Sequence, residues 1–240
     1  MERTLRESEV LSDVKRASAH LERSPGTLAS FVPAHGDSRA GVVARHLSHT
    51  LTEGFGGSVL LADFDTRERA ASLGSSMWTR SSSPRRLDGR TWGAFVSEVD
   101  GLDTLDARET HPMKLSQLLD HARRKYSMIF ADLTGAREVH ANEMLRESDA
   151  IFLVANSDHA SVEGLREKAE WLRAMKVIDR TGLLLRQTVG GHSVNEIEEI
   201  TGLPVCSLIG AQTQMDQLAL WLAANTSVPE DGVASFAMAG

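Results

Sequence analysis

The 240-residue chain carries a single cysteine, a single tyrosine and six prolines, and it has no lysine between Lys15 and Lys114. A lone cysteine cannot form an internal disulfide. Cys206 lies in the apolar run PVCSLI, so it reads as a buried small hydrophobe in a reducing compartment. No stretch approaches the roughly 18 consecutive apolar residues of a membrane span, and no signal-type apolar region follows the charged N-terminus. The expected location is the cytoplasm, with no integral membrane segment and any membrane contact made through a partner. Positive charge is also short: 26 Lys and Arg face 33 Asp and Glu, a formal net charge of -7, which argues against a globally basic nucleic-acid binder. A nucleophile elbow is missing, and HLSHT forms no triad signature. His46 and His49 stand at i, i+3 without a paired acidic motif, so packing or surface roles are expected of them rather than metal ligation.

What is present is ordinary for a soluble globular protein, 41% hydrophobic and 25% charged, in a length that one α/β core can fill. The expected organisation is an N-terminal helix over residues 1–24 for docking or self-association, one domain over 25–225, and a partly disordered tail from 226. In the first segment Val10, Leu11, Val14, Ala17 and Leu21 share a helical face. TLASFV then reads as a strand, AHGDSRAG as a glycine-containing loop, and VVARHLSHTL as a helix with Val43, Leu47 and Leu51 along one side. The pattern repeats: SVLLADFD, SMIFADL, AIFLVANS, TGLLLR and PVCSLI are strand-like, and amphipathic helices lie between them. Ser193 and Glu196 form a capping-box signature, with Val194, Ile197 and Ile200 expected on the buried face of the helix that follows. Trp171 and Trp221, each in an amphipathic helix, read as core or interface anchors. TRSSSPRRLDGR, with four arginines, is the exception and reads as a mobile loop. Continuous apolar strands alternating with helices predict a three-layer α/β/α architecture around a mainly parallel, doubly wound sheet, with function at the C-terminal strand edge.

The strand, glycine loop and helix between Thr27 and Leu51 have the geometry that binds phosphate, because loop amides and a helix N-terminus converge on one anion. The candidate loop is Gly36, Asp37, Ser38, Arg39, Ala40 and Gly41. A working phosphate loop also needs a lysine for the outer phosphates and a Ser or Thr hydroxyl for magnesium. Laying G-x-x-x-x-G on Gly36 and Gly41 puts Val42 and Val43 at those places; matching strand to helix without gaps puts Ala40 and Gly41 there; matching Gly36 and Ser38 puts Asp37 at the lysine. Every register lacks the lysine. Arg39 and Arg45 are the local cations, and a guanidinium is no simple replacement for a slim ammonium. Asp63 and Asp65 end one strand and Asp132 another, so three carboxylates are expected beside the loop. Such groups hold magnesium and position an attacking water in nucleotide hydrolases. Asp63 and Asp132 are the candidate magnesium ligands.

From Leu28 to Leu222 the order and spacing of these segments resemble the ParA/MinD superfamily of deviant-Walker, P-loop ATPases. TLASFVPAHGDSRAGVVARHLSHTL is similar to that family's first strand, loop and helix, VLLADFDTR to its second acidic motif, KYSMIFADLTG to its Walker B strand, and GLLLRQ to its strand near the adenine. Arg3-Thr4-Leu5-Arg6 and the GLDTLDARETHPMKLSQLLDHARRKYS stretch resemble the bacterial tyrosine kinase branch associated with capsule and exopolysaccharide synthesis. That branch ends in a tyrosine cluster, whereas this chain has Tyr126 alone. The resemblance places the family's signature lysine at His35 or Asp37 and its adenine-contacting Asn at Arg186. It therefore implies a degenerate nucleotide pocket, binding ATP or ADP with magnesium weakly and requiring no cofactor. The implied role is a non-catalytic regulatory or assembly subunit in exopolysaccharide synthesis. Two alternatives stay open: an active ATPase or kinase in which Arg39 or a partner residue replaces the lysine, and a positioning or pilus-assembly module. Expected partners are further copies of the chain, a paralogous ATPase or a membrane protein, the last holding it at the inner membrane.

Overall fold

The computed structural model describes residues 26–36, 39–65, 92, 93, 95–108 and 110–224. The expected N-terminal helix, Asp37, Ser38, the arginine-rich stretch and the tail lie outside the described residues. The elements run β1 (Thr27–Pro33), α1 (Ala40–Phe55), β2 (Val59–Asp63), β3 (Val96–Val99), β4 (Leu102–Asp106), α2 (Pro112–Arg123), β5 (Met128–Asp132) and α3 (Glu138–Glu147). They continue with β6 (Ala150–Asn156), α4 (His159–Ala174), a short 3-10 turn, β7 (Thr181–Arg186), α5 (Val194–Thr201), β8 (Val205–Leu208) and α6 (Gln212–Ala224).

Eight strands form one sheet in the order β3-β4-β2-β5-β1-β6-β7-β8, parallel throughout except for the β3–β4 pair. The expected α/β/α architecture is therefore observed. Side-chain alternation along the strands sorts the core into two clusters. Ala29, Phe31, Leu61 and Phe130 meet Val43, Leu47 and Leu51 of α1 and Leu218 and Leu222 of α6 on one face. Leu28, Val32, Leu60 and Ile129 meet α2, α3, α4 and α5 on the other. Chain connections running in opposite directions from β1 place their helices on opposite faces, as right-handed crossovers require, and the order reverses beside β1. Trp171 and Trp221 are half-buried and packed against the two clusters, and Cys206 is buried with its thiol pushed up to about 12 by burial.

The β3–β4 hairpin was not among the expected strands. Its turn is Asp100-Gly101, both residues at positive φ (53° and 77°), and Val99 pairs with Leu102 across it. Asp-Gly between apolar residues is a strong hairpin signal. The exposed edge strand VSEV, however, has too little apolar alternation to read as a strand by itself. The capping box of α5 forms as expected: Ser193 N donates to Glu196 Oε2 (2.7 Å) and Glu196 N to Ser193 Oγ (3.4 Å). Ile200 corrects the expectation for that helix, being 42% exposed while Ile197 is fully buried. In an eight-residue helix only a narrow stripe meets the core, and Thr201, which donates to Ile197 O, takes the buried place in the last turn.

At the N-terminal edge Arg123 ties three elements together, donating to Gly26 O (2.8 Å), Asp149 Oδ2 (2.7 Å) and Glu147 O (2.7 Å). At the opposite edge α4 presses on the residue that leaves β1: a Cβ on Gly164 would lie 2.4 Å from Ala34 O. Glycine is required there by close approach, because the obstructing atom is backbone. Gly164→Ala is expected to lower stability by about 1–3 kcal/mol, read as a fall in the midpoint of chemical denaturation; an unchanged midpoint would show that α4 can retreat freely.

Candidate functional site

The C-terminal ends of β2, β5, β6 and β7 and the first turns of α1 enclose a cavity of about 760 Å³. The alternation that buries Leu61 and Phe130 toward α1 turns Asp63 and Asp132 to the same face. Register then aligns them: Asp63 pairs with Asp132 across β2 and β5, and with Asp106 across β2 and β4. Three aspartates thus end three adjacent strands in one row. Asp65 lines the cavity beside them, its N–H donating to Asp63 Oδ1 (2.8 Å).

The row carries a resident cation that the sequence reading did not identify. Arg108 holds Asp106 in a two-pronged contact, Nε to Oδ1 at 2.8 Å and an Nη to Oδ2 at 2.6 Å, with both side chains more than two-thirds buried. The Asp106 bond raises the Arg108 pKa further. Asp63 is pushed above the usual carboxylate range, chiefly by burial; the Asp65 N–H and the Arg108 charge oppose that rise. Asp132, 9% exposed, is pushed up to about 6 by burial even though it accepts from Thr134 N (2.9 Å). The Thr134 side chain opposes that rise together with its N–H, and Thr134 lines the cavity.

Basic side chains share this cavity. Arg39, Arg45, His46, His49 and Arg186 line it, with Asn156 beside Arg186 in register on β6. Arg39 is the N-cap of α1 at φ 55° and makes no side-chain capping bond. A left-handed backbone at a residue other than glycine is uncommon. Of the sequence-predicted residues, Gly36, Arg39, Gly41, Asp63, Asp65, Asp132 and Arg186 come together here. Ala40, expected in the same pocket, is instead fully buried in the core beneath α1, because it is the helix's first inward position. Val42, which one register places at the lysine, is 63% exposed and lines the cavity.

The residues present do not fit a magnesium ion at this edge. A Cβ on Gly41 would lie 2.1 Å from Asp132 Oδ2, so the carboxylate already fills the place of a first-turn hydroxyl. Among the described residues, no group of three or more His, Cys, Asp or Glu side chains is arranged to hold a metal ion.

No family model matches the chain, and no curated protein sequence matches it. Solved structures do resemble it. A ParA family ATPase from Chlorobium tepidum superposes with a TM-score of 0.63 at 18% identity, covering 84% of this chain and 90% of that one. The MinD cell division protein of Aquifex aeolicus gives 0.64 at 15% identity, covering 85% and 99%. The septum site-determining protein MinD of Pyrococcus horikoshii, solved in complex with Mg-ADP, gives 0.59 at 15% identity, covering 88% and 93%. At these identities the shared property is the fold: the chain has the α/β architecture of ParA/MinD P-loop ATPases.

Two measurements test this geometry. Gly41→Ala alone should lower stability by about 1–3 kcal/mol, and Asp132→Ala should relieve most of that loss in the double variant. Additive effects in the cycle would show that the two residues do not compete for space. The second concerns pH. Because burial raises the folded pKa of Asp132 from 3.8 to about 6, its favourable contribution is complete below pH 3.8 and is lost as pH rises through about 6. Asp132→Asn should therefore raise stability by up to about 3 kcal/mol at pH 8, and the gain should vanish near pH 4. A gain independent of pH would contradict the burial of an ionisable carboxyl.

Proposed function

We propose that this chain is a non-hydrolysing member of the ParA/MinD ATPase superfamily, a regulatory or assembly subunit built on a degenerate nucleotide pocket. One observation carries the reading: no lysine lines the cavity among the described residues, although the strand, helix and row of aspartates of a phosphate site are in place. Phosphoryl chemistry depends on cations placed against charge that develops in the transition state. Losing one such ligand typically costs about 2.7–4 kcal/mol of stabilisation.

The kinase-branch resemblance supports exopolysaccharide assembly as the context. Its chemistry is not carried over. The one tyrosine, Tyr126, is 8% exposed at the N-terminal edge of the sheet and donates to Asp103 Oδ2 (2.7 Å). Burial first, and that bond next, push its hydroxyl up to about 12. A buried, bonded phenol is no phosphoacceptor. The subunit would work on the cytoplasmic side through further copies of itself, an active paralogue or a membrane protein; among the described residues no helix is long and apolar enough to cross a membrane.

A second reading has a specific observation behind it. Arg39 stands at the N-cap of α1 and lines the cavity, where a guanidinium could meet phosphate. The experiment is release of inorganic phosphate from ATP with magnesium, measured on the chain alone and with candidate partner proteins. Turnover no faster than the buffer blank is expected; turnover that disappears in Asp63→Asn would overturn the proposal in favour of an active enzyme.

A further inference from the structure

Resting on the non-hydrolysing reading, we infer that the cavity takes a phosphorylated ligand without a divalent cation: Asp132 seated on Gly41 closes the metal's place, and the cavity's arginines receive the anion directly. Three observations support it.

The first is steric. Asp132 Oδ2 stands 2.1 Å from where any Gly41 side chain would begin, so the carboxylate and the first turn of α1 leave no room for an ion between them. The second is electrostatic. A divalent ion at such an edge normally cancels the repulsion of clustered carboxylates. Here Arg108, fixed on Asp106 by two short bonds, already supplies positive charge beside Asp63. The aspartate row is partly compensated from inside the fold and does not depend on an added cation.

The third points to the ligand. Arg39, Arg45 and Arg186 line the same cavity as the aspartates, and a guanidinium fork suits two phosphate oxygens. Thr134, 7% exposed, lines the same cavity and bonds the Asp132 carboxyl through its backbone and its side chain. The first turn of α1 adds outward-pointing amides, and the cavity's volume suits a ligand of nucleotide size. Arg39 strengthens the point. Its left-handed backbone would suit glycine better, yet the position carries a cation that opens into the cavity.

The shared chemistry is a diphosphate group, whether it belongs to a nucleotide or stands alone. The test is calorimetric titration of the full chain with ADP and, separately, with inorganic pyrophosphate, each in excess EDTA and in excess magnesium. Binding is expected in EDTA and should weaken at least about threefold in excess magnesium, because the ion sequesters the free diphosphate that the cavity takes; affinity that magnesium leaves unchanged or raises overturns the inference. Tighter binding of ADP than of pyrophosphate identifies a nucleotide; equal binding identifies the diphosphate alone, and both outcomes support the inference. Arg39→Gly is the decisive variant. It should weaken binding at least about tenfold while leaving the thermal midpoint unchanged or higher, since glycine relieves the backbone. Binding seen only with magnesium, or no binding of either probe in EDTA, overturns the inference. Magnesium-dependent binding without turnover sinks it alone, whereas magnesium-dependent turnover sinks the non-hydrolysing reading as well.

Discussion

The approach of Gly41 to Asp132 is the constraint on which the site depends. The first turn of α1 can lie against the end of β5 only because residue 41 has no side chain, and that proximity seats Val43, Leu47 and Leu51 on Phe31 and Phe130 below it. The same contact removes the space in which a first-turn hydroxyl would meet an ion. Packing and chemistry are therefore exchanged at one position. A side chain at 41 would have to displace the carboxylate of Asp132.

The charge pattern of the cavity follows from sheet register rather than from any one motif. Parallel pairing brings Asp106, Asp63 and Asp132 level on three neighbouring strands, and period-two alternation turns Asp63 and Asp132 to the face of α1. Like charges in such a row raise one another's pKa unless something opposite stands close. Arg108 is that group for Asp106 and Asp63. Asp132, at the far end of the row from Arg108, depends on Thr134 instead, and burial still pushes it up to about 6.

Much of this was legible in the sequence. Continuous apolar runs located β1, β2, β5, β6, β7 and β8, and Asp63, Asp65 and Asp132 stood at strand ends where they line one cavity. The hairpin of β3 and β4 was not legible by periodicity, because its outer strand is exposed and carries polar residues at positions where alternation needs apolar ones. Missing that hairpin hid Asp106 and Arg108, whose meaning comes from the register of β4 beside β2 and not from their neighbours in the chain. The signal was Asp100-Gly101, a dipeptide suited to positive φ at both residues. Ala40 was misplaced for a related reason: a phosphate-loop spacing names positions along the chain, but helix phase decides which of them face the core.

Fold likeness alone does not decide what the cavity does, since one architecture hosts many chemistries and the site must be argued from its own residues. Here the backbone offers an independent clue. Three residues other than glycine have positive φ among those described: Arg39, Asp100 and Lys176. Asp100 belongs to a two-residue hairpin turn and Lys176 follows the end of α4, places where chain reversal accounts for the conformation. Arg39 stands where the chain passes from β1 into α1. It begins a helix without a side-chain capping bond, in a conformation that costs roughly 1–2 kcal/mol for a residue with a Cβ, and it lines a cavity that also holds Asp63, Asp65 and Asp132. A cation held in an unfavourable conformation at a helix N-terminus is best understood through what it faces. The conformation of Arg39 and the contact of Asp132 with Gly41 therefore meet in one cavity, which guanidinium and carboxylate groups line together.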